Sequence, residues 1–107
     1  MAREQLQTLT EPMYYVLLTL TSPRHGYDIM QTIGDLTNGR VKVGAGTLYS
    51  LLARFEKEKL IVQVSDDGRR KTYTLTDKGR EILKNEYIRL QLLIADGRKL
   101  LEADGYE

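Results

Sequence analysis

Residues 61 to 75, IVQVSDDGRRKTYTL, constrain this chain more than any other stretch. Ile61 to Ser65 and Lys71 to Leu75 read as two short strands, the second most clearly, because Tyr73 and Leu75 alternate with Thr72 and Thr74. Asp67-Gly68 between them is a strong hairpin signal, since both residue types tolerate the positive φ angles of a tight primed turn. A turn needs the Asp-Gly pair but has no use for the Arg69, Arg70 and Lys71 that follow it. At a hairpin tip at least one of these cations points into solvent, where phosphate oxygens are its natural partners.

Charge along the chain supports a polyanionic partner. The net charge of the 107 residues is only +1, yet residues 40 to 80 hold 10 cations against 5 anions, a local net of +5. The segments on either side, 1 to 39 and 81 to 107, are each net -2. A concentrated positive field attracts a polyanion even when the whole molecule is nearly neutral, although solvated surface charge gives the same tally. The length fits one domain, and a composition 41% hydrophobic and 29% charged is that of a folded, soluble chain. Cysteine is absent and His25 is the sole histidine, which disfavours a disulfide framework, a thiolate or transition-metal site, and a nucleophile-base constellation. No cofactor, metal site or enzymatic activity is expected. The longest apolar run, near Met13 to Leu20, is far shorter than a bilayer-spanning helix, so a cytoplasmic protein with no membrane partner is the expectation.

The remaining segments read as helices. Thr10-Glu11-Pro12 supplies a capping hydroxyl and an early proline, predicting a first helix over residues 11 to 21. After Ser22-Pro23-Arg24-His25-Gly26, the recurrence of Tyr27, Met30, Ile33 and Leu36 predicts a second helix that Asn38-Gly39 terminates. Arg40 to Val43 suggests a brief strand. In GTLYSLLARFEKEKL, Leu48, Leu51, Leu52 and Phe55 fall on one face of a third helix, leaving Thr47, Ser50, Arg54 and Lys57 on the other. That polar, cationic face suits a groove, and Gly44 and Gly46 leave little bulk at its entry, though a loop before an amphipathic helix has the same signature. Thr76 caps a last helix in which Gly79 is a weak point for packing to tolerate. Along it Leu83, Tyr87, Leu90, Ile94 and Leu101 keep alternating four- and three-residue spacing, with Gly97 at the intervening apolar position. Ile82, Ile88, Leu92, Leu93 and Leu100 add apolar surface that a second subunit would cover.

The order helix, helix, brief strand, helix, hairpin, long helix predicts a mainly α fold with a small β-hairpin, a winged helix-turn-helix with a C-terminal dimerisation helix. We expect residues 1 to 75 to form the DNA-binding region with an N-terminal arm, and 76 to 107 the dimerisation helix packed on it. HGYDI at 25 to 29, GTLYSLL at 46 to 52, FEKEKLI at 55 to 61 and RRKTYTLTDKG at 69 to 79 occur in an order and spacing that resemble the PadR-like transcriptional regulators. Ser50, where proline often follows the family tyrosine, and Lys59, where glycine often precedes Leu-Ile, depart from that pattern.

The resemblance implies a homodimeric transcriptional repressor of the compact type, holding the GTLY helix and the basic hairpin against double-stranded operator DNA of roughly palindromic sequence. Thr47, Tyr49, Ser50, Arg54, Arg69, Arg70 and Lys71 are the expected DNA contacts, Tyr49 reading equally well as a partly buried packing residue. Tyr27 and Tyr73 read as core or near-core aromatics and His25 as a helix-entry residue. Leu83, Tyr87, Leu90, Ile94 and Leu101 are the expected dimer interface. Related regulators respond to phenolic or lipophilic compounds, so a small apolar effector is a further expected partner, lined by Tyr15, Leu90, Leu93 and Ile94 if the interface is not simply filled. A winged-helix module binding an acidic protein is the alternative that the same residues permit.

Overall fold

The computed structural model describes residues 8–66, 68 and 70–103. Thr10 opens the first helix, α1 (Glu11–Thr19), with a reciprocal cap. Its Oγ1 accepts the Met13 N–H at 3.3 Å, and Met13 Sδ takes the place of the usual carboxylate by accepting the Thr10 N–H at 3.4 Å. Met13, Val16, Leu17 and Leu20 turn inward. The helix stops two residues short of the expected end, where the hydroxyls of Thr19 and Thr21 donate back to the carbonyls of Val16 and Leu18. Such side-chain bonds compete with the helical ladder.

Arg24–His25 then forms a two-residue strand, β1, which runs directly into α2 (Gly26–Leu36). His25 ends one element and caps the next, its Nδ1 accepting the Asp28 N–H at 3.4 Å, so its expected role at the helix entry is met. Ile29 and Ile33 are the fully buried residues of α2. Tyr27 is not in or beside the core: 65% of its surface is exposed, because α2 buries the face that carries Gly26, Ile29 and Ile33 and so turns position 27 outward. The C-terminal stop falls where Asn38-Gly39 placed it. Asn38 adopts φ 54° and Gly39 φ 78°, and the Gly39 N–H returns to Gly34 O at 2.8 Å, closing the helix.

No strand forms over Arg40 to Val43; residues 41–44 have no regular structure. Val41 and Val43 are buried, and the Val41 N–H bonds to Thr37 Oγ1 at 3.1 Å. The third strand of the sheet is β1, in the stretch that reads as an interruption between helices. It pairs with the hairpin through Arg24 opposite Tyr73 and His25 opposite Thr72.

The third helix, α3 (Ala45–Lys57), buries Leu48, Leu52 and Phe55, with Leu51 packed against the core's edge. It ends in the same manner as α2: Lys59 takes φ 65°, the Leu60 N–H bonds to Phe55 O at 2.8 Å and the Lys59 N–H to Glu56 O at 3.0 Å. A left-handed residue is required there, and it is a lysine.

Strands β2 (Ile61–Asp66) and β3 (Lys71–Leu75) form the expected antiparallel hairpin, and the sheet order is β1-β3-β2. A bulge between Gln63 and Ser65 shifts the register, twisting the free edge of β2. Gly68 has φ 94°, as a primed turn needs, while Asp67 and Arg69 lie outside the described residues. The base of the hairpin is tied to α1, with the Leu75 N–H at 3.1 Å and Thr74 Oγ1 at 3.2 Å both donating to Leu20 O.

The last helix, α4 (Asp77–Ala103), starts from the expected Thr76 cap: Oγ1 accepts the Gly79 N–H at 3.0 Å and donates to Lys59 O at 2.6 Å. Its buried residues Gly79, Leu83 and Glu86 all lie in the first half, against α1 and the sheet. The fold is therefore mainly helical, a helix-turn-helix of α2 and α3 with a three-stranded wing and a long final helix.

Candidate nucleic-acid interface

Burial of Leu48, Leu52 and Phe55 sets the rotation of α3, and that rotation turns Thr47, Ser50, Arg54 and Lys57 outward together. The helix starts at Gly44 with no side-chain cap, and neither Gly44 nor Gly46 has a neighbour within 4 Å of where a Cβ would stand. This end of the helix leaves room for another molecule's backbone to approach closely. Arg54 is engaged on the surface, its Nε 3.2 Å from Glu58 Oε2 one turn on, so reaching a phosphate or a base means exchanging that pair. Exposed i,i+4 pairs are weak, and the exchange is inexpensive.

Tyr49 joins this helix to the start of α2. Its ring lies over the backbone of Gly26, so close that a Cβ there would run into the Tyr49 hydroxyl. It is still 53% exposed, which makes it a packing residue on one side and an available hydroxyl on the other. Beside it opens a cleft of about 350 Å³ lined by His25, Gly26, Tyr27, Tyr49, Arg70, Lys71 and Tyr73. The structure thus brings Tyr49 together with Arg70 and Lys71, residues far apart in the chain. Arg69 lies outside the described residues. Tyr73 is buried, as expected, at 7% exposure. Arg70 Nη1 is 3.4 Å from His25 Nε2.

Two features of this cleft are not legible from periodicity. Gly26 reads as turn punctuation, whereas its lack of a side chain makes room for Tyr49. His25 reads as a helix start, whereas its second ring nitrogen faces the wing.

A second surface runs along α4. Leu83 is buried in the subunit's own core, and Leu90 is half-buried. Tyr87, Ile94 and Leu101 are exposed, as are Ile88, Leu92, Leu93 and Leu100. Between α1 and α4 lies a mostly apolar groove of about 300 Å³ lined by Tyr14, Leu18, Thr21, Arg80, Leu83, Lys84 and Tyr87. Tyr15, Leu90, Leu93 and Ile94 do not line it; the Tyr15 hydroxyl instead accepts from Arg40 Nη2 at 3.4 Å. Burial, then the neighbouring Tyr15, raises the pKa of the Tyr14 hydroxyl above its ordinary value.

Glu86, on the buried side of α4, is only 3% exposed. Its carboxylate accepts two bonds from Arg89, at 2.9 and 2.7 Å, and one from the Leu9 N–H at 3.4 Å. The Arg89 bonds lower its pKa against the opposing effect of burial. The sequence carried a signal here that the apolar spacing passes over, a glutamate three residues after Leu83 and three before Arg89. Among the described residues no cluster of metal-binding side chains occurs, and no helix is long and apolar enough to cross a membrane.

Comparison with known proteins agrees with this architecture. A PadR family regulator from Eggerthella lenta is 30% identical, with a TM-score of 0.72 over 90% of this chain and 82% of that one. The PcaV transcriptional regulator of Streptomyces coelicolor, solved in complex with its natural ligand, is 25% identical, with a TM-score of 0.65 over 91% of this chain and 66% of that one. Among curated sequences, a Lysinibacillus sphaericus protein designated "uncharacterized protein X" is 39% identical over 70 residues, covering 62% of this chain and 64% of that protein. The chain spans from 23% to 64% of the lengths of the curated relatives it matches. The model of the transcriptional regulator PadR-like family matches residues 16–85, from the core of α1 to the first turns of α4. With the helix-turn-helix, the wing and the long last helix in place, the chain belongs to the PadR-like family of transcriptional regulators, which are not enzymes.

Proposed function

We propose that this protein is a sequence-specific DNA-binding repressor that acts in the cytoplasm as a homodimer on a roughly palindromic operator. One observation carries the reading: the exposed face of α3, with Thr47, Ser50 and Arg54, adjoins a cleft in which Tyr49 meets the wing cations Arg70 and Lys71. A helix whose polar face is presented beside cationic hairpin residues suits a major groove flanked by phosphates. Residues 1 to 75 then serve DNA binding and residues 76 to 107 serve dimerisation. The second half of α4 supports that division, because Leu92, Leu93, Ile94, Leu100 and Leu101 are each at least half exposed, which is costly for a lone subunit in water.

The test is selection of duplexes from a random-sequence library by the purified chain, followed by mobility-shift titrations across a salt series. The salt slope falls by about 0.9 for every phosphate that the protein no longer neutralises, so replacing Arg70 and Lys71 together by alanine should lower it by about 1.8 while weakening all duplexes alike. An unchanged slope removes the wing from the interface. In sedimentation, Ile94→Glu should convert the dimer to single chains; a wild type that is monomeric at micromolar concentration would refute the dimer.

The groove beside Tyr14 supports a small apolar effector, with Arg80 and Lys84 available to a polar group on it. The PcaV neighbour, with its natural ligand, makes such regulation reasonable within this fold. Titration of phenolic and lipophilic compounds that leaves operator affinity and thermal stability untouched would remove those compounds.

A further inference from the structure

We propose that the cleft between α2, α3 and the wing seats a single DNA backbone phosphate, and that His25 is a DNA-contacting residue donating to it through Nε2–H. The inference rests on the DNA-binding reading above and adds a residue and a geometry to it.

His25 Nδ1 accepts the Asp28 N–H at 3.4 Å. A ring nitrogen that accepts carries no proton, so in the neutral imidazole the proton sits on Nε2. Nε2 lies 3.4 Å from Arg70 Nη1, and a guanidinium has donors only. Two donors facing each other at this distance do not bond to one another. An oxygen acceptor seated beside the pair can take a hydrogen bond from each.

The surroundings select the kind of acceptor. Tyr27, Tyr49 and Lys71 bring further donors to the same cleft, and none of the described residues lining it is acidic. The Tyr49 hydroxyl is held over Gly26 at the cleft floor. A phosphate has several anionic oxygens able to accept from several directions, which a neutral acceptor lacks. The cleft also lies beside the outward face of α3, so a strand that follows this helix along a groove brings its backbone here. Placing the capping imidazole on the β1–α2 junction and pairing β1 with β3 sets His25 against the wing. The cap therefore fixes the tautomer that makes His25 a donor.

The two roles of His25 separate by substitution. In His25→Asn the side-chain oxygen still caps α2, but nothing replaces Nε2–H. With duplexes recovered by the full chain from the random-sequence library, this variant should bind about 10- to 100-fold more weakly, the range for a hydrogen bond to a charged group. Its salt slope should match the wild type, because a neutral donor releases no counterion, whereas Arg70→Ala should lower the slope by about 0.9. Replacing operator phosphates one at a time with uncharged methylphosphonates should reveal one position per half-site where the wild type loses affinity and His25→Asn loses none further. His25→Ser, a second capping substitution, guards against a defect particular to asparagine. Binding by both variants within about twofold of wild type, or a loss spread equally over all phosphate positions, overturns the proposal. A wild type that retains no duplex overturns the DNA reading itself, and this inference falls with it.

Discussion

Replacing Gly79 by alanine tests how α4 is seated, because two effects of known size act in opposite directions. Intrinsic helix preference favours alanine by about 1 kcal/mol in a helix interior. The structure opposes it: a Cβ at residue 79 would run into the Leu60 carbonyl oxygen and come within 3.2 Å of Leu75 Cδ2. Backbone cannot rotate aside as a side chain can, so α4 must retreat from the start of β2. That movement strains the 3.0 Å bond from the Thr76 N–H to Leu60 O and the adjoining cap on Gly79. Overpacking costs about 1–3 kcal/mol, and a broken hydrogen bond about 1 kcal/mol more, so the net expectation is destabilisation of about 1–3 kcal/mol. In a domain of this size that lowers the midpoint of thermal unfolding by at least about 4 °C. Urea and thermal unfolding followed by far-ultraviolet circular dichroism, at one fixed protein concentration, provide the measurement. Gly97, also in α4, has nothing within 4 Å of a Cβ, so Gly97→Ala should be stabilising by up to about 1 kcal/mol. A Gly79→Ala protein as stable as the wild type, or more so, would show that helix preference offsets the whole steric clash and would refute the reasoning.

Lys59 holds φ 65° at the end of α3, where a non-glycine residue costs about 1–2 kcal/mol and glycine loses about 0.5–1 kcal/mol of chain entropy. Lys59→Gly should therefore raise the urea midpoint by the equivalent of about 1 kcal/mol; a lower midpoint would mean that the lysine side chain stabilises the fold in some other way. Glu86→Gln should destabilise the protein at neutral pH, since the folded carboxylate is held below its ordinary pKa chiefly by Arg89. The sign follows from linkage: this stabilisation is complete above the ordinary glutamate value of about 4.3 and disappears as pH falls through the lower folded value. Thermal midpoints of wild type and variant should converge on acidification through that window, and a constant gap would assign the effect to packing.

Much of this protein is legible along the chain because the signals are local. The three-residue recurrence from Tyr27 to Leu36 and the Asn38-Gly39 stop locate α2 nearly to the residue, and Thr76 announces α4. Where reading by periodicity failed, the cause was non-local. Arg40 to Val43 has strand-like composition, yet β1 takes the remaining edge of β3, and a two-residue strand has no period to detect. Tyr27 keeps the apolar step but stands on the helix's first turn, at the mouth of the cleft rather than in the core.

Residue pattern alone determined the four helices and the β2–β3 hairpin, the burial of Leu48, Leu52 and Phe55, and with it the outward aim of Thr47, Ser50 and Arg54, since a helix presents one face wherever it buries the other. Only the tertiary structure decided which distant groups meet. The pairing of β1 with β3 sets His25 against Arg70, and the bare backbone at Gly26 admits Tyr49. Close approach between segments 23 and 45 residues apart depends on packing in three dimensions, and no local propensity encodes it.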